Sequence, residues 1–152
     1  MSDTTKSTIL VVDDEPYIRE FLHQVLTDEG YRVVTAGDGA EALVVAEHEK
    51  PDLILLDIRM PNLDGMEACQ ELRKRPVTKN CRIIMLTAFD TRDRLEESIV
   101  AGADDFLGKP VDLTELQVRV RSMLKVKDMA DEVDRLEAYI KAMQDLRDHP
   151  SA

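Results

Sequence analysis

An α/β fold, with a five-stranded parallel sheet covered by helices on both faces, is what this sequence predicts. Two observations carry that expectation. Five short β-branched or apolar runs recur at fairly even intervals, and segments with helical periodicity fill the gaps between them. Such alternation builds βαβ units, and their strands run parallel because each crossover returns the chain to the same edge of the sheet. The middle runs, LILLD and RIIML, are continuous rather than alternating, as strands buried on both faces should be.

The first strand is TILVV at 8–12, followed by a helix in which Ile18, Phe21, Leu22, Val25 and Leu26 line one face and Gly30 supplies the stop. RVVTA at 32–36 precedes a helix over Ala40–Glu49, which ends before Pro51. LILLD at 53–57 leads to Met66–Arg75, ending before Pro76, and RIIML at 82–86 leads to Thr91–Ala101, closed by Gly102. DDFLG at 104–108 is the fifth strand, and the last helix begins near Val111, after Pro110. The sheet domain thus occupies about residues 7–125, with disordered ends expected at 1–6 and 148–152.

Bulk properties narrow the function. The 152 residues include 31 acidic against 20 basic side chains, a formal net charge of −11. That balance argues against nucleic-acid binding, which needs clustered Lys and Arg, but suits a cation site where carboxylates crowd together. No apolar run is long enough to span a bilayer, and MSDTTKST does not open like a secretory signal. Cys69 and Cys81 lack any metal-binding or CxxC spacing and read as ordinary thiols of a reducing cytoplasm.

From Leu113 to about Arg147 there is neither glycine nor proline, so the last helix can run far past the domain. Leu116, Val120 and Leu124 step by four, whereas Val126, Met129, Val133, Leu136, Ile140 and Met143 alternate spacings of three and four, a heptad seam. The stripe changes phase near Lys125, where the helix should leave its own domain. A coiled-coil extension over 126–147 is expected, and with it a homodimer. In a parallel pair Glu132 and Glu137 would face each other at g and e positions. The coil is therefore expected to be weak, antiparallel, or supported by an attached domain.

Chemistry collects at the carboxyl ends of the strands, where open parallel sheets bind ligands. Asp13, Asp14 and Glu15 follow strand one, Asp57 ends strand three, Thr87 follows strand four, and Lys109 follows strand five. Any one of these reads more simply as a helix cap or a solvated charge. All of them at four strand ends do not. Converging carboxylates repel and need a cation, and oxygen donors with room for water suit Mg²⁺. Lys109 adds a point charge suited to a phosphoryl group, and Thr87 a hydroxyl donor.

LVVDDE (10–15), LILLDIRMPNLDG (53–65), MLTA (85–88) and GADDFLGKP (102–110) stand in the order and spacing of the response regulator receiver domains of two-component signalling, which the chain resembles over roughly residues 7–125. The resemblance implies a flavodoxin-like, doubly wound sheet in the order 2-1-3-4-5 with an elongated C-terminal helix. It implies that Asp57 is the phosphoryl acceptor, and that Asp14, Asp57 and the backbone carbonyl of Arg59 bind Mg²⁺ (or Mn²⁺ in its place), with Asp13 acting through a bound water. Thr87 and Lys109 would hold the phosphoryl oxygens, the Lys109–Pro110 bond would be cis, and Thr87 with Phe106 would form the switch pair. Arg59 and Phe89, at the mouth of the site, would tune the lifetime of the phosphoryl group. The implied partner is a sensor histidine kinase or a histidine phosphotransfer protein, and the implied product is a cytoplasmic switch, not an enzyme with an external substrate.

Two other classes fit the sequence less well. A haloacid-dehalogenase-type phosphatase places a second Asp where Arg59 stands, and no cap domain is evident. A coiled-coil adaptor with a vestigial receiver does not explain the intact Asp13, Asp14, Asp57, Thr87 and Lys109. Beyond Lys125 no output motif is evident, so the chain reads either as a stand-alone receiver or as a receiver and linker preceding a cyclase, phosphodiesterase or kinase.

Overall fold

A computed structural model describes residues 6–88 and 101–148. Five strands, β1 (Thr8–Val12), β2 (Arg32–Ala36), β3 (Leu53–Asp57), β4 (Arg82–Ala88) and β5 (Asp105–Lys109), form one parallel sheet in the order β2-β1-β3-β4-β5. The helices are α1 (Pro16–Asp28), α2 (Gly39–Glu49), α3 (Gly65–Lys74) and α4 (Leu113–Asp148). The order and the long last helix are as the sequence implied. β4 runs two residues further than RIIML, so Thr87 lies within the strand, and β5 is one residue later than DDFLG, so Lys109 is its last residue. The helix expected over 91–101 lies outside the described residues apart from Ala101, as do Phe89 and the chain ends at 1–5 and 149–152.

Strand pleating divides the apolar residues between two cores. Leu10, Val12, Ile54, Leu56, Ile83 and Met85 point to one face, where Ala42 and Ala46 of α2 and Ala68, Cys69 and Leu72 of α3 cover them. Ile9, Val11, Leu53, Leu55, Ile84, Leu86 and Leu107 point to the other, under Leu22 and Leu26 of α1 and Leu116, Val120 and Leu124 of α4. Both faces of β3 and β4 are therefore dry, which accounts for their continuous apolar composition. One-residue register slips would exchange the two cores, so the double burial fixes the register of the strands.

The Arg73 guanidinium ties α3 to the sheet edge, donating to the carbonyls of Gly102 (2.9 Å) and Lys79 (3.0 Å) and pairing with Asp104 at 2.7 Å. Asp104 also accepts from Ile83 N–H at 2.9 Å. Cys69 and Cys81 are buried free thiols, pushed up to about 11 chiefly by desolvation, and so are chemically quiet.

Past Leu124 the apolar side chains of the helix turn outward. Leu116 and Val120 are fully buried and Leu124 nearly so, whereas Val126, Met129, Val133, Leu136, Ile140 and Met143 are 43–64% exposed. Beyond the change of phase near Lys125 no described residue is fully buried, although Lys127, Ala130 and Asp131 stay partly covered.

Candidate functional site

Registers of the central strands bring the polar strand ends together. Val12 pairs with Leu56, so the next residues, Asp13 and Asp57, lie side by side at the same edge. Asp57 pairs with Leu86, and Thr87 and Ala88 pair with Gly108 and Lys109. Asp13 and Asp57 are buried and Asp14 is exposed, and one carboxylate oxygen of each lies within 4.8 Å of the others.

Lys109 holds the two buried carboxylates. Its Nζ lies 2.9 Å from Asp13 Oδ2 and 3.1 Å from Asp57 Oδ2. The Lys109–Pro110 peptide is cis. Asp13 is fixed further by Glu15 N–H, which donates to its Oδ1 at 2.9 Å, and by Arg19, which donates to its carbonyl at 2.8 Å. Desolvation first, then the neighbouring Asp13 carboxylate, pushes Asp57 up to about 6, against the pull of the Lys109 ammonium and the Arg59 backbone N–H. Burial alone would lower Lys109, but its hydrogen bonds and charge contacts with Asp13 and Asp57 leave it raised. These directions describe two anions sharing one cation in a poorly solvated corner.

Beside this corner opens a cleft of about 360 Å³ lined by Asp14, Ile58, Arg59, Met60, Pro61 and Asp64. The Arg59 side chain is exposed there, at the mouth, and Asn62 takes a positive φ of 69° in the same loop. Thr87 is buried one step beyond Leu86. Phe106 projects from the same face of the sheet as Thr87 and is partly buried against the core under α2 and α3. The structure thus brings Asp13, Asp14, Asp57 and Lys109 together, with Asp14 and Arg59 lining the adjoining cleft and Thr87 buried on the neighbouring strand.

Two supports of the site were not anticipated. Asp64 and Glu67 form a reciprocal capping box at the start of α3, a spacing readable in the sequence as Asp-x-x-Glu. Gly65 sits so close to β3 that an added Cβ would lie 2.2 Å from the Asp57 carbonyl oxygen and 2.8 Å from Ile58 Cα. No local sequence pattern reports that approach, because it depends on where α3 returns to the sheet. The residues present fit a hard divalent cation: three carboxylates beside an open polar cleft offer oxygen donors and room for water.

Residues 9–121 match the family model of the response regulator receiver domain. The chain is 48% identical over 124 residues to the ycf27 protein of Cyanophora paradoxa, covering 81% of this chain and 50% of that protein. It is 42% identical over 135 residues to the response regulator PleD of Caulobacter vibrioides, covering 89% and 30%. The chemotaxis protein CheY4 of Vibrio cholerae superimposes with a TM-score of 0.75 at 33% identity, covering 78% of this chain and 99% of that one. The chain belongs to the response regulator receiver family. It spans about half the length, or less, of the curated relatives it matches.

The crowding at Gly65 predicts that Gly65→Ala destabilises the fold by about 1–3 kcal/mol in denaturant titration, as overpacking does. The raised Asp57 predicts a pH signature. Unfolded aspartate ionises near about 3.9, whereas folded Asp57 does so at about 6. The group's contribution to stability is thus fully present below the lower value and is lost as pH rises through the upper one. In cation-free buffer, wild type should lose ground to Asp57→Asn as pH rises from about 4 to about 6, then run parallel to it. A gap that does not change across that interval would contradict the assignment.

Proposed function

We propose that the chain is a phosphorylation-activated switch in which Asp57 accepts a phosphoryl group from a phosphohistidine of a sensor histidine kinase or a histidine phosphotransfer protein. The observation that carries this reading is the Asp13–Asp14–Asp57 cluster, in which Lys109 bridges Asp13 and Asp57 and Asp14 lines the adjoining open cleft. Asp14, Asp57 and the Arg59 carbonyl would hold Mg²⁺ directly, with Asp13 acting through a water. The ion's contribution, when bound, is to offset the repulsion between an attacking carboxylate and an anionic phosphoryl donor.

In the transfer, an Asp57 oxygen forms the new O–P bond, the donor's P–N bond breaks, and the imidazole leaves with the electron pair. Lys109 is placed to pair with the phosphoryl oxygens as the charge on Asp57 moves outward, and Thr87 to donate its hydroxyl to them. Phe106, on the same face as Thr87, would take up the space that Thr87 vacates. Arg59 and Phe89 would govern access of the water that ends the signal. The reaction is turned on the domain itself, so the product is a changed protein surface. The receiver would extend over about residues 7–125 and act in the cytoplasm. Among the described residues no helix is long and apolar enough to cross a membrane.

The helix beyond Lys125 would pair two copies of the chain. Six half-exposed seam residues in one helix are a large apolar area to leave in water, since burying each is worth roughly 1.5–3 kcal/mol.

Incubation with acetyl phosphate should add one phosphoryl group to the intact mass only when a divalent cation is present. Equal modification of Asp57→Asn, or indifference to chelation, would remove Asp57 from this role. For the helix, sedimentation should find a dimer that Leu136→Asp with Ile140→Asp converts to monomer. Wild type that stays monomeric at high micromolar concentration would rule the dimer out.

A further inference from the structure

The seam on α4 faces away from its own receiver. At 3.6 residues per turn, the centre of the Val126–Met143 stripe lies roughly 170° around the helix from the Leu116, Val120 and Leu124 stripe that packs on the sheet. A second helix on that seam therefore has room to run back beside the receiver, along exposed Ser122 and Lys125. Among the described residues that face of the helix is exposed at Ser122 and Lys125, and charge must choose between the two orientations of a second helix.

In a parallel pair each Glu132 meets Glu137 of the partner subunit, so the symmetric interface carries two like-charge contacts. Reversing one helix separates them. With the six seam layers fully overlapped, Val126 faces Met143 of the partner subunit, Met129 faces Ile140 of the partner subunit, and Val133 faces Leu136 of the partner subunit. Every layer then joins one β-branched side chain to one unbranched at Cβ. At the flanks Glu132 lies against Tyr139 of the partner subunit, and Glu137 against Ala130 of the partner subunit. Lys125 comes to the last turn of the partner's helix, where the unpaired carbonyls and the negative end of the dipole favour a cation. Tyr139 and Leu146, 63% and 59% exposed at flanking positions, also gain apolar cover.

We infer that two copies of this chain pair through α4 as an antiparallel coil in that register, Met129 opposite Ile140, with the receivers at opposite ends. This rests on the reading that α4 is the dimer interface. Cysteine cross-linking separates the two, and the native thiols, both buried, need not be removed. Disulfides require Cα atoms within about 7 Å, whereas the two copies of residue 129 in this arrangement stand about 16 Å apart along the axis. Mixed and equilibrated Met129→Cys and Ile140→Cys chains should oxidise to a covalent dimer whose peptide map joins 129 to 140, while Met129→Cys alone should not link. Glu137→Lys should leave the dimer constant within about twofold, since the antiparallel register sets position 137 against Ala130 of the partner subunit. A 129–129 link, or a dimer tightened about fivefold or more by Glu137→Lys, would overturn the antiparallel arrangement and leave the α4 dimer standing. A sedimenting dimer that gives neither link would take the interface off the seam. A monomer at high micromolar concentration would remove the reading on which the inference rests.

Discussion

Two carboxylates that a parallel sheet forces to lie side by side, both largely out of water, cannot both stay charged without help. That repulsion between Asp13 and Asp57 organises the rest of the site. Lys109 meets it from the far end of the sheet, bridging both groups across two intervening registers. The bridge is incomplete, since one ammonium serves two anions and Asp57 remains pushed up to about 6. A site left with surplus negative charge beside an open cleft is one that gains by taking in a cation. The exposed third carboxylate, Asp14, lines that cleft.

Rigidity around that charge cluster comes from backbone contacts rather than from more charges. Gly65 lets α3 press against the end of β3, and its N–H donates to the Ile58 carbonyl at 2.9 Å. The Asp64–Glu67 capping box fixes where α3 starts, which sets the length of the 58–64 loop lining the cleft. Gly39 closes the other side of that loop, for a Cβ there would stand 2.3 Å from the Leu63 carbonyl. The loop is thus held at two glycines, one from each neighbouring helix, and Arg59 is displayed between them.

Much of this was legible in the sequence because its signals are local. LILLD and TILVV are continuously apolar apart from Asp57 and Thr8 at their ends, since both faces of their strands are covered, and three of the five strands have the limits the runs gave. The carboxylates and Lys109 were legible because strand ends are where such sheets place ligands. What stayed hidden depends on distant segments meeting. Arg73 reads as a surface charge at the end of a helix, yet it gathers the carbonyls of Gly102, Lys79 and Cys81. Nor does the run DDFLG tell that the fifth strand continues to Lys109, because glycine and lysine carry little strand propensity and only pairing with Thr87 and Ala88 keeps them extended.

The long helix shows how a folded domain supplies what an isolated segment lacks. Starting a helix costs more than extending one, so a separate 126–148 segment, with few apolar contacts of its own, would be marginal in water. Here the start is made on the receiver. Leu116, Val120 and Leu124 anchor the first turns in the core, and Asp105 of β5 pairs with Arg119. From that anchored end the helix only propagates, helped by the Lys127–Asp131 and Arg135–Glu132 pairs. β5 carries both Lys109 at the charge cluster and Asp105 at the helix anchor, four residues apart in one strand. One strand thus carries both the charge cluster and the anchor of α4, and the seam beyond Lys125 continues the same helix.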